Sequence, residues 1–422
     1  MKKFDLIVAG GGLTGVAAAV SAGRQGLQVL LIEKSGGLGG AVSTNLVYPF
    51  MRYWTDDAQG NRKWLSAGIF AEIYEKVSRE VTPAGYTDFS PAAMQFVLED
   101  LVMEAGVTVL YHASVFAAKT QDRQIQSVHV ATKAGAMEFA ADFFVDATGD
   151  GDLMAFAGCE FQVGRESDGL CQPMTTCFRM ANVGGADQEK KNISRAMNEA
   201  YKVLKAQGKI QNPREDVLWF RGQALGNGIA HFNTTRVVKL DPTDPFQLSR
   251  AETEARQQIR EILRFLKEQE IPAFADAQIV SIATAIGIRE SRKLKGEHIL
   301  TVEELKACSR FPDSVAAGNY DVDIHNPEGA GTSHYYFAPG EYYTIPYRSL
   351  LPKELDNLLV AGRCLSATHE AQASVRIMPI CATLGQAAGT AVALAKSSHT
   401  NTHTLNIPAL QALLRENGAV ID

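Results

Sequence analysis

Cysteine is scarce in this chain. Six occur in 422 residues, scattered, with no CxxC pair and no metal-ligand spacing. That excludes a disulfide-stapled scaffold and a thiol-redox motif, and it predicts buried, reduced thiols in a cytoplasmic protein. HExxH is also absent, and no metal site is expected. Basic runs are missing and the formal net charge is −6, which argues against a nucleic-acid partner. Long apolar runs are missing too. The longest apolar helix candidate, Ile380 to Ala395, contains Gln386 and falls short of the roughly 20 residues that cross a bilayer, so no membrane association is expected. The start, Met1-Lys2-Lys3 before an apolar stretch, is interrupted at once by Asp5 and a triple glycine, so no secretory leader is expected.

Glycine, by contrast, stands at informative places. "FDLIVAGGGLTGVAAAVSAGRQGLQVLLIEKS" reads as strand, turn, helix, strand. Gly10, Gly12 and Gly15 give GxGxxG: one glycine for the tight turn, one for close approach of a pyrophosphate, one for helix–strand packing. Leu13 and Thr14 open the helix, whose free N–H groups and partial positive charge face the phosphates. The second strand ends in Glu33-Lys34, where an acid accepts hydrogen bonds from ribose hydroxyls. Four more glycines follow in "SGGLGGAVS", including Gly39 and Gly40, a close-packed loop suited to a long cofactor.

A second strand–glycine–helix lies near the other end, in "NLLVAGRCLSATHEAQASVRIMPICATLGQAAG". Its strand ends at Gly362-Arg363, and Pro379 suits the first position of the following helix, where no N–H is needed. The intervening "THEAQASVRIMP" reads as a loop offering His369 and Arg376. Between the two ends, "ADFFVDATGDGD" reads as a buried strand closing on Ala147-Thr148-Gly149. The stretch before it, including Val115, alternates with turn signals at Gln121–Arg123 and Ala134–Gly135, the pattern of an antiparallel meander. In the middle, "TTCFRMANV" and "GIAHFNTTRVVKL" read as strands, and "SRAMNEAYKVLKAQG" and "LSRAETEARQQIREILRFLKEQE" as helices. "SIATAIGIRESRKLKGEHILT" carries Arg289, Glu290, Arg292 and Lys293, which suit either an anion site or a network of surface pairs. "GNYDVDIHNPEGAGTSHYYFAPGEYYTIPYRSL" reads as a loop-rich wall with His325 and His334.

Taken together, "IVAGGGLTGVAAAVSAGRQG", "EKSGGLGG", "VDATGDGDL", "IGIRESRKLKGEH", "YTIPYRSLLP" and the C-terminal segment resemble the FAD-dependent oxidoreductases of the fumarate-reductase/glutathione-reductase-like flavoprotein superfamily, in a bacterial branch. The resemblance implies an α/β fold. It consists of a Rossmann-like FAD-binding domain, with a central parallel sheet plus antiparallel meander, built from residues 1–158 and 340–422. An α+β cap or substrate domain, 159–339, is inserted. It implies non-covalent FAD contacted by Gly10, Gly12, Leu13, Thr14, Gly15, Glu33, Lys34, Gly39 and Gly40. Further contacts fall on Val115, Ala147, Thr148, Gly149, Gly362, Arg363, Ile377 and Met378, the last pair leading the helix after Pro379 toward the flavin.

The implied activity is hydride transfer between a small organic, anionic substrate and flavin N5. His369 and Arg376 match the histidine and arginine that hold a substrate carboxylate in fumarate-reductase-like members, and Arg289 and His334 complete the expected catalytic set. Departures from the superfamily narrow the reading. "GGAVSTNLVYP" lacks the redox cysteines of disulfide reductases, and no histidine occurs between Met1 and Tyr111 to link the flavin covalently. No second strand–GxGxxG–helix supplies a nicotinamide domain. The alternative reading is a flavin-dependent reductase or RNA-modifying flavoprotein supplied with electrons by a partner or by NAD(P)H. Oligomeric state and physiological electron partner stay open.

Overall fold

The computed structural model describes residues 2–185 and 189–422. Its main sheet has seven strands. From one edge run Thr108–Leu110, Val29–Ile32, Lys2–Ala9 and Gly135–Asp146, all parallel; Gln124–Thr132 and Ser114–Gln121 continue antiparallel. The strand Gly135–Asp146 has two uses. Its first half pairs with the meander, while Phe144–Asp146 pairs in parallel with Leu358–Val360 from far along the chain. The β-branched and leucine content of Leu6–Val8, Val29–Ile32 and Leu358–Val360 explains strands buried on both faces. The meander turns fall where the sequence signals them, with Asp122 and Arg123 both at positive φ. Thr108–Leu110, expected in the meander, instead extends the parallel sheet, because it follows a helix (Pro91–Glu104) rather than a hairpin turn.

Two alanine-rich helices pack face to face on this sheet: Leu13–Arg24 and Met378–Ser397. Small side chains let the axes approach closely, and Ser21 and Thr390 share a 2.8 Å hydrogen bond across the seam. The second helix is longer than the expected Ile380–Ala395. Its 20 residues meet the length and composition of a membrane span, but 89% of its most apolar window is buried inside the protein.

A four-stranded antiparallel sheet covers the cleft, in the order Trp219–Phe220, Ala230–Phe232, Phe178–Ala181, Gln278–Ile282. Helices Lys190–Ala206 and Pro245–Glu268 back one of its faces. Phe178 and Phe232 stack there at 4.6 Å, beside Trp219, Tyr201, Ile259 and Ile262. The period-2 alternation of the strands turns Cys177 and Asn233 to the opposite side, toward the cleft.

Three sequence expectations need correction. The stretch read as loop-rich forms two antiparallel pairs: Ser314–Gly318 with Tyr343–Pro346, and Val322–His325 with Thr332–Tyr335. Buried Val315, Val322, Tyr343 and Ile345 supply the apolar face that its glycines and prolines obscured. "GIAHFNTTRVVKL" is a strand only at Ala230–Phe232; beyond it the buried side chains of Thr234 and Thr235 bond to nearby backbone instead of a ladder. The loop "THEAQASVRIMP" contains a helix, His369–Val375, capped by the Thr368 side chain.

Candidate active-site cleft

One cleft of about 540 Å³ runs between the main sheet and the cap. At one end it is lined by Gly10, Gly12, Leu13, Thr14, Glu33, Lys34 and Val115; Gly39, Gly40, Ala147, Thr148 and Gly149 continue it. At the other end stand Arg289, Tyr320, Asp323, His325, Arg376, Ile377 and Met378.

The dinucleotide end is shaped by backbone approach. Gly10 has φ +100°, and a Cβ there would lie 2.4 Å from the Ala147 carbonyl oxygen. A Cβ at Gly15 would meet the Gly10 oxygen at 1.8 Å. These two glycines close the strand–helix turn against the Ala147-Thr148 turn. Gly12 differs. Its φ of −68° suits any residue, and a Cβ there finds only Gly40 Cα at 4.0 Å. Gly12 is therefore bare toward the cleft, not toward the protein. It caps a helix with no acidic residue in its first turn, so the free N–H groups of that turn face a cradle suited to an anion. Two strand ends, a bare glycine and a helix N-terminus in one continuous cleft fit a pyrophosphate with an extended group on each side.

Glu33 is buried, and its carboxylate accepts the N–H of Gly11 and of Ser35, each at 2.7 Å. It therefore ties the first turn to the glycine loop while lining the cleft. Asp146, not singled out in the sequence, fixes the next turn by accepting the Thr148 N–H at 3.0 Å, its hydroxyl at 2.7 Å, and the Met154 N–H at 2.8 Å. The "DATGD" string was its only signal. Arg363 lines the cleft and donates to Asp150 at 2.7 Å and to Ser291 at 3.0 Å. Gly362 and Gly15 are not on the cleft wall; a Cβ at Gly362 would lie 2.6 Å from the Thr14 hydroxyl.

The far end is crowded with guanidinium groups. Arg289 donates to the Pro173 carbonyl at 2.7 Å and the Thr175 hydroxyl at 2.6 Å; burial and the charge of Arg376 pull its pKa down to about 9. Arg376 stands 3.7 Å from Asp323, and its buried Nε has no hydrogen-bond partner. Asp323 Oδ2 accepts from Tyr320 at 2.9 Å and lies 3.3 Å from His325 Nε2. The other nitrogen of His325 is 2.9 Å from Arg236, which can only donate, so His325 is neutral with its proton on Nε2. Burial and Arg289 hold its pKa down to about 3. Burial alone would raise the Asp323 carboxyl, but His325 and Arg376 outweigh it and keep it well below the usual range.

Of the four side chains expected to act in catalysis, Arg289 and Arg376 meet on the cleft wall. The other two lie off it. His369 is buried at the start of its helix, with Nδ1 2.7 Å from Glu290. Glu290 also pairs with fully buried Lys293, which donates to the Gly164 carbonyl at 2.8 Å. The helix the sequence hid turns His369 inward. His334 sits on an exposed hairpin strand, paired with Asp321 and stacked on Tyr336. The basic cluster also divides: Arg289 faces the cleft, Glu290 and Lys293 are buried, and Arg292 bonds Asp152 at 2.9 Å. Tyr320 and Asp323 are the wall residues that sequence reading passed over. The alternation of "VDIH", which puts Asp323 and His325 on one strand face, was the signal.

A parallel α/β sheet with a glycine turn, a second strand–helix closing the same cleft, and a cap above it define a dinucleotide-binding redox enzyme. Residues 5–414 match the family described as FAD dependent oxidoreductase, and the chain belongs to that family. FAD is its cofactor, and the cleft residues above fit it. Among solved structures, it is similar to a geranylgeranyl bacteriochlorophyll reductase-like protein from Thermoplasma acidophilum (13% identity, 99% of this chain and 85% of that one, TM-score 0.49). It is also similar to a myxobacterial FAD-dependent chondrochloren halogenase (13%, 99% and 79%, TM-score 0.48) and to p-nitrophenol 4-monooxygenase from Pseudomonas putida (10%, 99% and 82%, TM-score 0.44). No curated protein matches the chain.

Proposed function

We propose that the protein exchanges a hydride between non-covalently bound FAD and a small organic anion held at the Arg289–Arg376 end of the cleft. We also place it in the fumarate-reductase/glutathione-reductase-like superfamily, with residues 159–339 as the substrate-covering insertion. The observation that carries the reading is the charge of the far wall. Arg289 and Arg376 face the cleft; Asp323 is the carboxylate beside Arg376, while Arg289 donates to the neutral oxygens of Pro173, Thr175 and Asn233, which leaves its positive charge without a directly bonded carboxylate in a desolvated chamber. An incoming carboxylate removes that imbalance, and a guanidinium can hold it through two N–H groups.

When bound, FAD supplies the redox capacity. The chain's own groups do the rest. The turns at Gly10–Thr14 and Ala147–Gly149 would hold the phosphates and ribityl end, and Glu33 would meet the ribose. The first turn of Met378–Ser397 favours negative charge beside it. The arginines orient the substrate, and the cap sheet excludes water.

The test is anaerobic mixing of the flavin-loaded protein with hydroxy acids, keto acids and NAD(P)H. Loss of the flavin absorbance with an organic acid is expected, and Arg376→Ala should keep FAD and lose that reaction at least a hundredfold. Acid precipitation should release the flavin. Reduction by NAD(P)H with indifference to every acid would sink the proposal.

A further inference from the structure

We infer that the substrate is an amphipathic acid. Its carboxylate is met by Arg289 and Arg376, and its apolar body lies along the cleft wall of Val47, Pro49, Met51, Leu248 and Ile288. The inference rests on the anionic-substrate reading above and adds the character of the rest of the molecule.

The starting point is apolar surface left uncovered. These side chains line the cleft, and each is only partly buried. Concave apolar surface of this kind is where an apolar group gains most by leaving water. The wall has two sides. Val47, Pro49 and Met51 follow the Gly39–Gly40 loop on the main domain. Leu248 and Ile288 belong to the cap, where they pack in one cluster with buried Met174, Ala251 and Ile286. A seam holds the sides together. The Ala285 N–H donates to the Thr44 carbonyl at 3.2 Å, and the Asn45 amide donates to the carbonyls of Ala285 and Ile286 at 2.9 and 3.1 Å.

Polar groups along this wall are already engaged. Glu252 lines it, but one carboxylate oxygen accepts the Ile286 N–H at 2.7 Å and the other accepts from Arg256 at 2.8 Å. The Thr44 hydroxyl donates to the Gly40 carbonyl at 2.8 Å, and the Thr243 hydroxyl to Asp241 at 2.7 Å. A ligand lying here therefore meets hydrocarbon and polar groups whose bonds are made.

The character reverses within one residue. Arg289 follows Ile288 directly and lines the same cleft. Gly287 bridges to Thr175, and Arg289 donates to the Thr175 hydroxyl, so wall and guanidinium share one backbone frame. From Ala285 to Arg289 the chain spans at most about 14 Å. The cationic pole and the apolar wall are thus within reach of one small molecule. A short dianion would leave the wall wet. A neutral apolar molecule would leave Arg289 without a directly bonded carboxylate.

The experiment is calorimetric titration of the flavin-loaded protein with straight-chain acids, from acetate through butanoate and hexanoate to octanoate, with octanol as the uncharged control. A buried methylene tightens binding about threefold to fourfold, so octanoate is expected to bind at least about fiftyfold tighter than butanoate. Arg376→Ala should weaken the whole acid series at least tenfold. Leu248→Gln combined with Ile288→Thr should cut the octanoate gain below about tenfold. Val47→Thr, of equal shape on the opposite side, should cut it in part, and it serves as the test if the double variant loses its flavin. A flat series, the result if the flavin's own ring covers this wall, with binding lost in Arg376→Ala, would overturn the amphipathic inference and leave the anion reading standing. Full gain retained in the wall variants would overturn it as well. Failure of every acid to bind, or octanol binding as tightly as octanoate, would overturn both.

Discussion

Gly385 and Thr14 meet backbone to backbone: a Cβ on Gly385 would fall 2.0 Å from the Thr14 carbonyl oxygen. One turn further, Gly389 makes the same approach to Ala18, at 2.2 Å. The helix that follows the glycine turn, Leu13–Arg24, and the helix that begins just after Arg376, Met378–Ser397, are thereby locked in register. The seam therefore fixes the start of the first helix relative to Met378, and both line the same cleft.

The contrast between Gly385 and Gly12 is a direct test. Gly385→Val forces the helices apart, and a loss of about 3 kcal/mol or more in apoprotein stability is expected, with flavin content falling in parallel. Gly12→Val points its side chain into the cleft, so apoprotein melting should change little while flavin content falls at least tenfold. Thermal denaturation of apoprotein and flavin absorbance of the purified proteins separate the two.

Glu33→Ala should damage both folding and cofactor affinity. Its carboxylate holds the Gly11 and Ser35 N–H groups, and hydrogen bonds to a charged group are worth about 1.5–3 kcal/mol each. Urea denaturation of the apoprotein is expected to show a loss of about 3 kcal/mol, and FAD titration a weaker complex. Glu33→Gln, which keeps one acceptor oxygen, should fall between. A loss confined to FAD affinity would remove the structural role.

Acid stability should depend on His231. It is fully buried, both ring nitrogens lack partners, and burial with the facing charge of Arg179 holds its pKa down to about 3 from an ordinary 6.5. As pH falls below 6.5 the unfolded chain takes up this proton and the folded one does not. The stabilisation is therefore complete above pH 6.5 and is lost as pH falls toward 3, at about 1.4 kcal/mol per pH unit. His231 packs edge-on against Tyr48 with ring centres 5.5 Å apart, so His231→Phe keeps the packing. That variant should match the wild type within about 1.5 kcal/mol at pH 7.5 and show a visibly shallower decline at pH 4–6. His325 titrates in the same window and leaves a residual slope.

The Glu290–Lys293–His369 cluster should prove structural. Lys293→Met leaves the buried Glu290 carboxylate with only His369 and the Gln172 N–H and is expected to cost about 3 kcal/mol in chemical denaturation. Adding Glu290→Gln should recover a large part, since the amide oxygen can still accept the Gln172 N–H. Equal losses in the single and double variants would show that the pair is not coupled.

The parts of this protein that sequence reveals are those in which local chemistry repeats a known constraint. GxGxxG between an apolar strand and an alanine-rich helix, an acid at the next strand end, and Pro379 in the first turn of a helix each have one physical reading, and each falls where it was expected along the cleft or the seam. The far end of the cleft was harder because its side chains come from distant segments: Thr175, Asn233, Arg289, Asp323 and Arg376 meet only through tertiary packing. A histidine in a polar string looks catalytic until a seven-residue helix turns it inward, as with His369. Asp323, flanked by apolar Val322 and Ile324, looked like ordinary strand alternation until its place beside Tyr320, His325 and Arg376 could be seen.

The pairing of Leu358–Val360 with Phe144–Asp146 also has a temporal meaning. A ribosome makes the glycine turn first, but the strand and helix that complete the cleft emerge more than 300 residues later. Until then the nascent chain carries an open strand edge at Phe144–Asp146 and an uncovered alanine face on its first helix. Such contacts between distant segments close slowly, and exposed edges and apolar faces invite association in the meantime. Cofactor capture thus waits on Leu358–Val360 and Met378–Ser397, and a chain cut short before that helix leaves behind a sticky intermediate, not a small working flavoprotein.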